Sequence, residues 1–197
     1  TVRGPTTVVL EQQRPVELHQ LHLVGDRTSD RFHLMPTLVD GRPNPEAVRL
    51  DEEAARGPRY LAHKARTRRK LYTPNRVDVI ELLDERDMLP AIYFIFSRNA
   101  CDDALAIARD AGLRYTDAAQ RRRIREIVEH STAALSDADL DVLGYDMWLA
   151  ALEQGLAAHH AGLIPAFKEA VERCFVEGLV KVVFATETLA LGINMPA

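Results

Sequence analysis

From residue 91 to the end of the chain, short apolar runs alternate with segments whose apolar residues recur at helical spacing. Few folds accommodate that alternation. Residues 91–96 (Ala-Ile-Tyr-Phe-Ile-Phe) are apolar throughout, as expected of a strand covered on both faces of a parallel sheet. Residues 180–185 form a second run, broken only by Lys181, and residues 156–158 are a shorter strand candidate. Pro165 opens the clearest helix, in which Phe167, Ala170, Val171, Cys174 and Phe175 fit one buried stripe. Lys168 with Glu172 and Glu169 with Arg173 are oppositely charged i,i+4 pairs on its wet side. Cys101, Ala104, Leu105 and Ala108 mark another stripe, with Gly112 at its end. Ile124, Ile127 and Val128 mark a third, leaving Arg121, Arg122, Arg123 and Arg125 largely outside it. Ser136 and Asp139 carry a capping signal for a short helix ending near Gly144, and residues 147–154 predict a further helix closed by Gly155. Strands alternating with helices imply βαβ units around a parallel sheet, where ligands sit at the carboxyl ends of the strands. That rule selects Ser97-Arg98-Asn99 and Thr186-Glu187-Thr188.

The first third of the chain reads differently. Residues 6–24 look extended, with Arg14-Pro15 as a connector between two strand-like pieces. From Gly25 to Tyr72, Pro36, Pro43, Pro45 and Pro58 join Gly41 and Gly57, and no period persists. Asp40-Gly41 predicts a turn; the rest reads as an insertion or linker, partly disordered. Regularity returns with Thr73-Pro74, read as an N-cap with proline at the first helical position, followed by Val77, Ile80 and Leu83. The chain starts without Met and stops straight after an ordered-looking segment, so the expectation is a piece excised from a longer polypeptide.

A net charge of −4 argues against a general nucleic-acid coat, but binding depends on local clusters, and two exist: residues 64–70 and 121–125. The first could track phosphates or be a solvated linker; the second is expected to be a wet helix face. No apolar run approaches the roughly 20 residues that span a bilayer. With no basic-then-apolar leader at the start, the expectation is a soluble, unexported, cytoplasmic protein. Cys101 and Cys174 fall on apolar helix faces and are expected to be buried thiols. His159-His160 with Cys174 raises a metal site, but adjacent strand side chains point to opposite faces and zinc spacings are absent; no metal is expected.

Three segments in order resemble the second motor domain of superfamily 2 helicases, in particular the exosome-associated DExH-box RNA helicases, including HelY-like actinobacterial proteins. Residues 91–98, ending in Ser97-Arg98, are similar to motif IV. Residues 159–165 (His-His-Ala-Gly-Leu-Ile-Pro) are similar to the family's HHAG segment. Residues 182–196 (Val-Val-Phe-Ala-Thr-Glu-Thr-Leu-Ala-Leu-Gly-Ile-Asn-Met-Pro) are similar to motif V. Motif IV alone is a weak signal, the HHAG segment a moderate one and motif V a strong one. Arg14-Pro15-Val16-Glu17-Leu18 resembles the connector between motor domains, although Glu17 stands where proline is usual. The resemblance covers residues 6–24 and 73–197, but not the middle.

The fold it implies is α/β, a RecA-like parallel sheet flanked by helices, with residues 1–24 as connector, 25–72 as insertion and 73–197 as a second RecA-like domain truncated after motif V. It implies that Ser97, Arg98, His160, Ala161, Gly162, Thr186, Glu187 and Thr188 touch nucleic acid. Gly192 and Asn194 would lie near the nucleotide. Implied partners are single-stranded RNA, with DNA possible, and the first RecA-like domain of the same polypeptide; implied cofactors of the parent are ATP and Mg²⁺. Elementary chemistry agrees, because single strands are held mainly through their backbone by hydroxyls, main-chain N–H groups and basic side chains. Ser97, Thr186 and Gly192 are also residues that simply cap or turn. The chain contains no Gly-x-x-x-x-Gly-Lys-Ser/Thr loop, and Asp51-Glu52-Glu53 and Asp84-Glu85 lack the strand and upstream loop of a DExH site. It also stops before the arginine-rich motif VI, so alone it is expected to be inactive as an ATPase. The rival readings are a non-catalytic α/β interaction module and a small-ligand α/β enzyme, the latter without a triad or paired carboxylates at strand ends.

Overall fold

The computed structural model describes residues 17–55, 70–187 and 189, and the chain divides into two compact units, residues 1–74 and 75–197. Arg14, Pro15 and Val16 of the expected connector, Lys64, Arg66, Arg68 and Arg69 of the first basic cluster, and Thr188, Gly192 and Asn194 lie outside the described residues.

In the first unit, β1 (Leu21–Asp26) and β2 (Arg31–Pro36) form an antiparallel hairpin with Leu21 opposite Pro36 and Asp26 opposite Arg31. Asp26 builds the turn. Its buried carboxylate accepts the Thr28 N–H at 2.8 Å and the Ser29 hydroxyl at 2.9 Å, the local bonding that favours Asp in turns. β3 (Leu38–Val39) and β4 (Arg42–Pro43) close a smaller hairpin over Asp40-Gly41, both at positive φ (51° and 72°), as a two-residue hairpin turn requires.

Asn44 starts α1 (Pro45–Ala55): its Oδ1 accepts the Glu46 N–H at 2.9 Å, while its Nδ2 donates to the Pro36 carbonyl at 2.8 Å. The helix start is thereby tied to the end of β2, with proline at the first helical position. β5 (Leu71–Tyr72) pairs with β1 and places Tyr72 opposite Gly25, where a Cβ would collide with the tyrosine ring. The described part of residues 25–72 therefore holds regular elements where the apolar pattern gave only a turn. The reason is physical: Met35 and Leu50 are the buried hydrophobics among the described residues of this unit, so hydrogen bonds rather than a buried stripe set its element ends.

The second unit runs α2 (Arg76–Glu85), β6 (Ala91–Phe94), α3 (Arg98–Asp110), α4 (Ala118–Thr132), α5 (Asp137–Val142), α6 (Tyr145–Glu153), β7 (Leu156–His159), α7 (Pro165–Val176) and β8 (Val182–Ala185). The strands form a parallel sheet in the order β6-β8-β7. Side chains alternate across it. Leu156, Ala158, Val182 and Phe184 join Ile80, Cys101, Ala104 and Ala108 in one apolar layer. Ala157, Val183 and Ala185 join Ile124, Ile127, Val128, Leu152, Phe167, Ala170, Val171, Cys174 and Phe175 in the other. In that layer Trp148 stacks on Phe167 with ring centroids 3.9 Å apart. The expected α/β architecture, a parallel sheet flanked by helices and compatible with a RecA-like domain, is what forms.

Three local expectations are corrected. The cap of α2 is Asn75, whose side chain accepts the Asp78 N–H at 3.0 Å, two residues beyond Thr73. β6 is not covered on both faces: it is the edge of the described sheet, Phe94 is 47% exposed and Phe96, past its end, 88%. On α7, Glu172 turns to His159 rather than to Lys168, and Arg173 pairs with Glu177 at 3.2 Å rather than with Glu169. A buried imidazole offers Glu172 a fixed partner that a solvated lysine does not.

Candidate nucleic-acid interface

The parallel register decides where the three candidate turns meet. Phe94 lies opposite Ala185, and Ala185 opposite His159, so all three strands end level with one another. Two backbone bonds extend the register past the strand ends: Ile95 N–H donates to the Ala185 carbonyl at 2.8 Å, and Thr186 N–H to the His159 carbonyl at 3.2 Å. Ser97-Arg98, Thr186-Glu187 and His160-Ala161-Gly162 therefore emerge together along one carboxyl edge. Ser97, Arg98, Ala161, Gly162 and Glu187 are exposed there, Thr186 is half-buried and His160 is buried.

Each turn has a local cause. Ser97 caps α3, its Oγ accepting the Ala100 N–H at 3.4 Å, which leaves the hydroxyl proton available to an acceptor in front of the helix. Arg98 follows at the first helical position, and among the described residues it has no ion-pair partner. Thr186 begins a tight turn in which its carbonyl accepts the Leu189 N–H at 3.1 Å.

The two histidines point to helices in opposite layers, the alternation of β7 continuing one residue past its end. His159 Nε2 meets Glu172 of α7 at 2.8 Å, while its Nδ1 is buried without a partner. His160 Nε2 meets Asp102 of α3 at 2.9 Å, and its Nδ1 accepts the Gly162 N–H at 3.1 Å. Gly162 matters as a close approach: a Cβ there would stand 3.0 Å from His160 Nδ1 and 3.6 Å from Arg98 Cδ, so the arginine stem lies beside the turn. With their rings directed apart, the histidines do not converge on one ion. Among the described residues no three His, Cys, Asp or Glu side chains stand close enough to hold a metal. Asp102 and Glu172 are the participants that sequence reading missed; their contacts bridge 58 and 13 positions, and no motif names them.

The remaining groups belong to the scaffold. Arg123 binds Glu177 at 2.8 and 2.9 Å and Glu126 at 3.0 Å, Arg125 pairs with Glu153, and Arg121 donates to the Thr116 carbonyl at 3.0 Å. Three of the four arginines of this cluster are thus spent on protein acceptors. Hydrogen bonding to Arg123 holds the Glu177 carboxyl below the usual carboxylate range. Burial pushes the Cys174 thiol up to about 12 and raises that of Cys101, whose Sγ–H faces the Ile95 carbonyl at 3.7 Å. Both cysteines are inert core groups. No described helix is long and apolar enough to cross a membrane.

No family model matches the chain. It is 47% identical over its whole length to "Probable helicase HelY" of Mycobacterium tuberculosis (strain H37Rv). It is 32% identical over 99% of its length to "Exosome RNA helicase MTR4" of Homo sapiens, and 34% identical over 60% to "Antiviral helicase SKI2" of Saccharomyces cerevisiae. The chain spans 22%, 18% and 9% of those relatives respectively, so it corresponds to a small part of each.

Proposed function

We propose that this chain, a segment homologous throughout its length to HelY-like and exosome-type DExH-box helicases, supplies the polynucleotide-gripping edge of the second RecA-like domain of an ATP-dependent RNA helicase. The observation that carries this reading is the register that brings residues 97–98, 160–162 and 186–187 to one carboxyl edge. An edge of hydroxyls, an arginine and exposed main chain suits a sugar–phosphate backbone.

Ser97 and Thr186, with Thr188, bond phosphate oxygens through their hydroxyls, and Arg98 adds a charge-assisted contact. The Gly162 N–H is occupied by His160, so glycine serves here by lacking a Cβ, and Ala161 presents its main chain. Glu187 accepts a 2′-hydroxyl, the group that distinguishes RNA from DNA. Gly192 and Asn194 are the residues assigned to nucleotide sensing. In the parent protein ATP and Mg²⁺ are bound chiefly by the first RecA-like domain, since no phosphate loop occurs in this chain; they supply the energy for cleft closure. Closure between the two domains advances the strand. The chain alone has no ATPase activity, and the parent works in the cytoplasm.

The test uses the intact parent polypeptide. Thr186→Ala combined with Thr188→Ala should abolish stimulation of the ATPase by single-stranded RNA while the circular dichroism spectrum is kept. Undiminished stimulation refutes the assignment.

A further inference from the structure

We propose that Asp102 is a positioning residue for this edge, holding His160 as the Nε2–H tautomer so that its Nδ1 locks the Gly162 amide and the turn around it. The inference rests on the reading of this edge as an RNA contact.

A main-chain N–H can only donate. Because Gly162 N–H points at His160 Nδ1 at 3.1 Å, that nitrogen must present its lone pair, and the ring proton resides on Nε2. Nε2–H then donates to Asp102 Oδ1 at 2.9 Å. His160 is 5% exposed and both its nitrogens are satisfied, so the ring has one tautomer and one orientation. The adjacent His159 lacks that completeness, with Nδ1 unpartnered. Asp102 itself is on the surface, its side chain 55% exposed, so it does not serve as core packing.

The same carboxylate has a second consequence. Asp102 stands four residues after Arg98 on α3, the spacing at which the two would pair on a helix surface. Directed onto His160 instead, it leaves the Arg98 guanidinium available to a phosphate. The arginine stem meanwhile passes beside Gly162, 3.6 Å from where a Cβ would be. One carboxylate thereby sets the HHAG turn and frees the neighbouring motif IV arginine.

Charge alone makes the opposite prediction. A carboxylate near a phosphate track repels it, so removing the charge should tighten RNA binding, equally for Asp102→Ala and Asp102→Asn. On the positioning account Asp102→Asn keeps an oxygen that accepts Nε2–H and stays near wild type. Asp102→Ala releases the ring and raises both the RNA Kd and the KM for RNA in the ATPase assay about tenfold, the size of one lost charge-assisted hydrogen bond; the effect falls on KM rather than kcat. Both variants are measured in the intact parent by anisotropy with a fluorescent oligouridylate, alongside hydrogen exchange of the peptide over residues 158–164 without RNA. Faster exchange in Asp102→Ala with recovery in Asp102→Asn, together with weaker RNA binding by the alanine variant alone, supports the proposal. Unchanged exchange, or tighter binding by both variants, overturns it. If wild-type parent binds no RNA while exchange responds as expected, the clamp stands and the RNA reading of this edge is what fails.

Discussion

The two units of this chain are held together by different physics. In the first, side chains bond back to the chain's own backbone: Asp26 organises a hairpin turn, and Asn44 caps α1 while gripping Pro36. In the second, two apolar layers clamp a parallel sheet whose β8 (Val182–Ala185) is buried residue for residue. The difference teaches what an apolar pattern reports. It records burial, and where little is buried it is silent, however regular the backbone.

The sharpest way to break that contrast is to hollow out the second unit. Phe184 is fully buried at the centre of the sheet, and Phe184→Ala should cost about 3–5 kcal/mol in urea unfolding monitored over residues 75–189. A loss below about 1 kcal/mol would mean that the apolar layers do not hold the sheet. The first unit is probed by Gly25→Ala, which forces the Tyr72 ring off β1 and away from Phe32, 6.5 Å between centroids, and Arg27, 5.0 Å from the ring centre. The expected cost is about 1–3 kcal/mol, read as faster hydrogen exchange over residues 21–36. Unchanged exchange would remove the Gly25–Tyr72 contact from the account.

These contrasts also explain what was legible in the sequence. The stripes on α3, α4 and α7 and the runs at β7 and β8 could be read directly, because each buries most of the residues that define it. Residues 18–24 were legible as extended, but β2 and α1, within residues 31–55, were not, because the hydrogen bonds that Asp26 accepts and Asn44 makes leave no period. Thr73-Pro74 looked like the better cap, yet Asn75, with a competent side chain one position nearer the helix than Pro74, takes the role. At the candidate site residues 97–98, 160–162 and 186–187 could be picked out from sequence, and their meeting at one edge follows from parallel register. The carboxylates of Asp102 and Glu172 could not, since only the fold brings α3 and α7 to the two sides of β7.

The smallest effect concerns the surface of the second unit. Glu177, held below the ordinary carboxylate range by Arg123, contributes stability that is fully present above that range and lost as pH falls through its lowered folded value. Thermal melts of wild type should therefore fall slightly further than those of Glu177→Gln as pH drops below about 4. A large difference would mean that surface ion pairs, not apolar layers, carry this unit.

The central claim, that one carboxyl edge grips a polynucleotide backbone, is tested most directly by the salt dependence of RNA binding in the intact parent polypeptide. Arg98→Ala should weaken binding and flatten the slope of log affinity against log salt by about 0.7, the share of one phosphate contact on a single strand. Arg122→Ala, on the exposed side of α4, should leave that slope where it is. Equal slopes for the two variants would contradict the account.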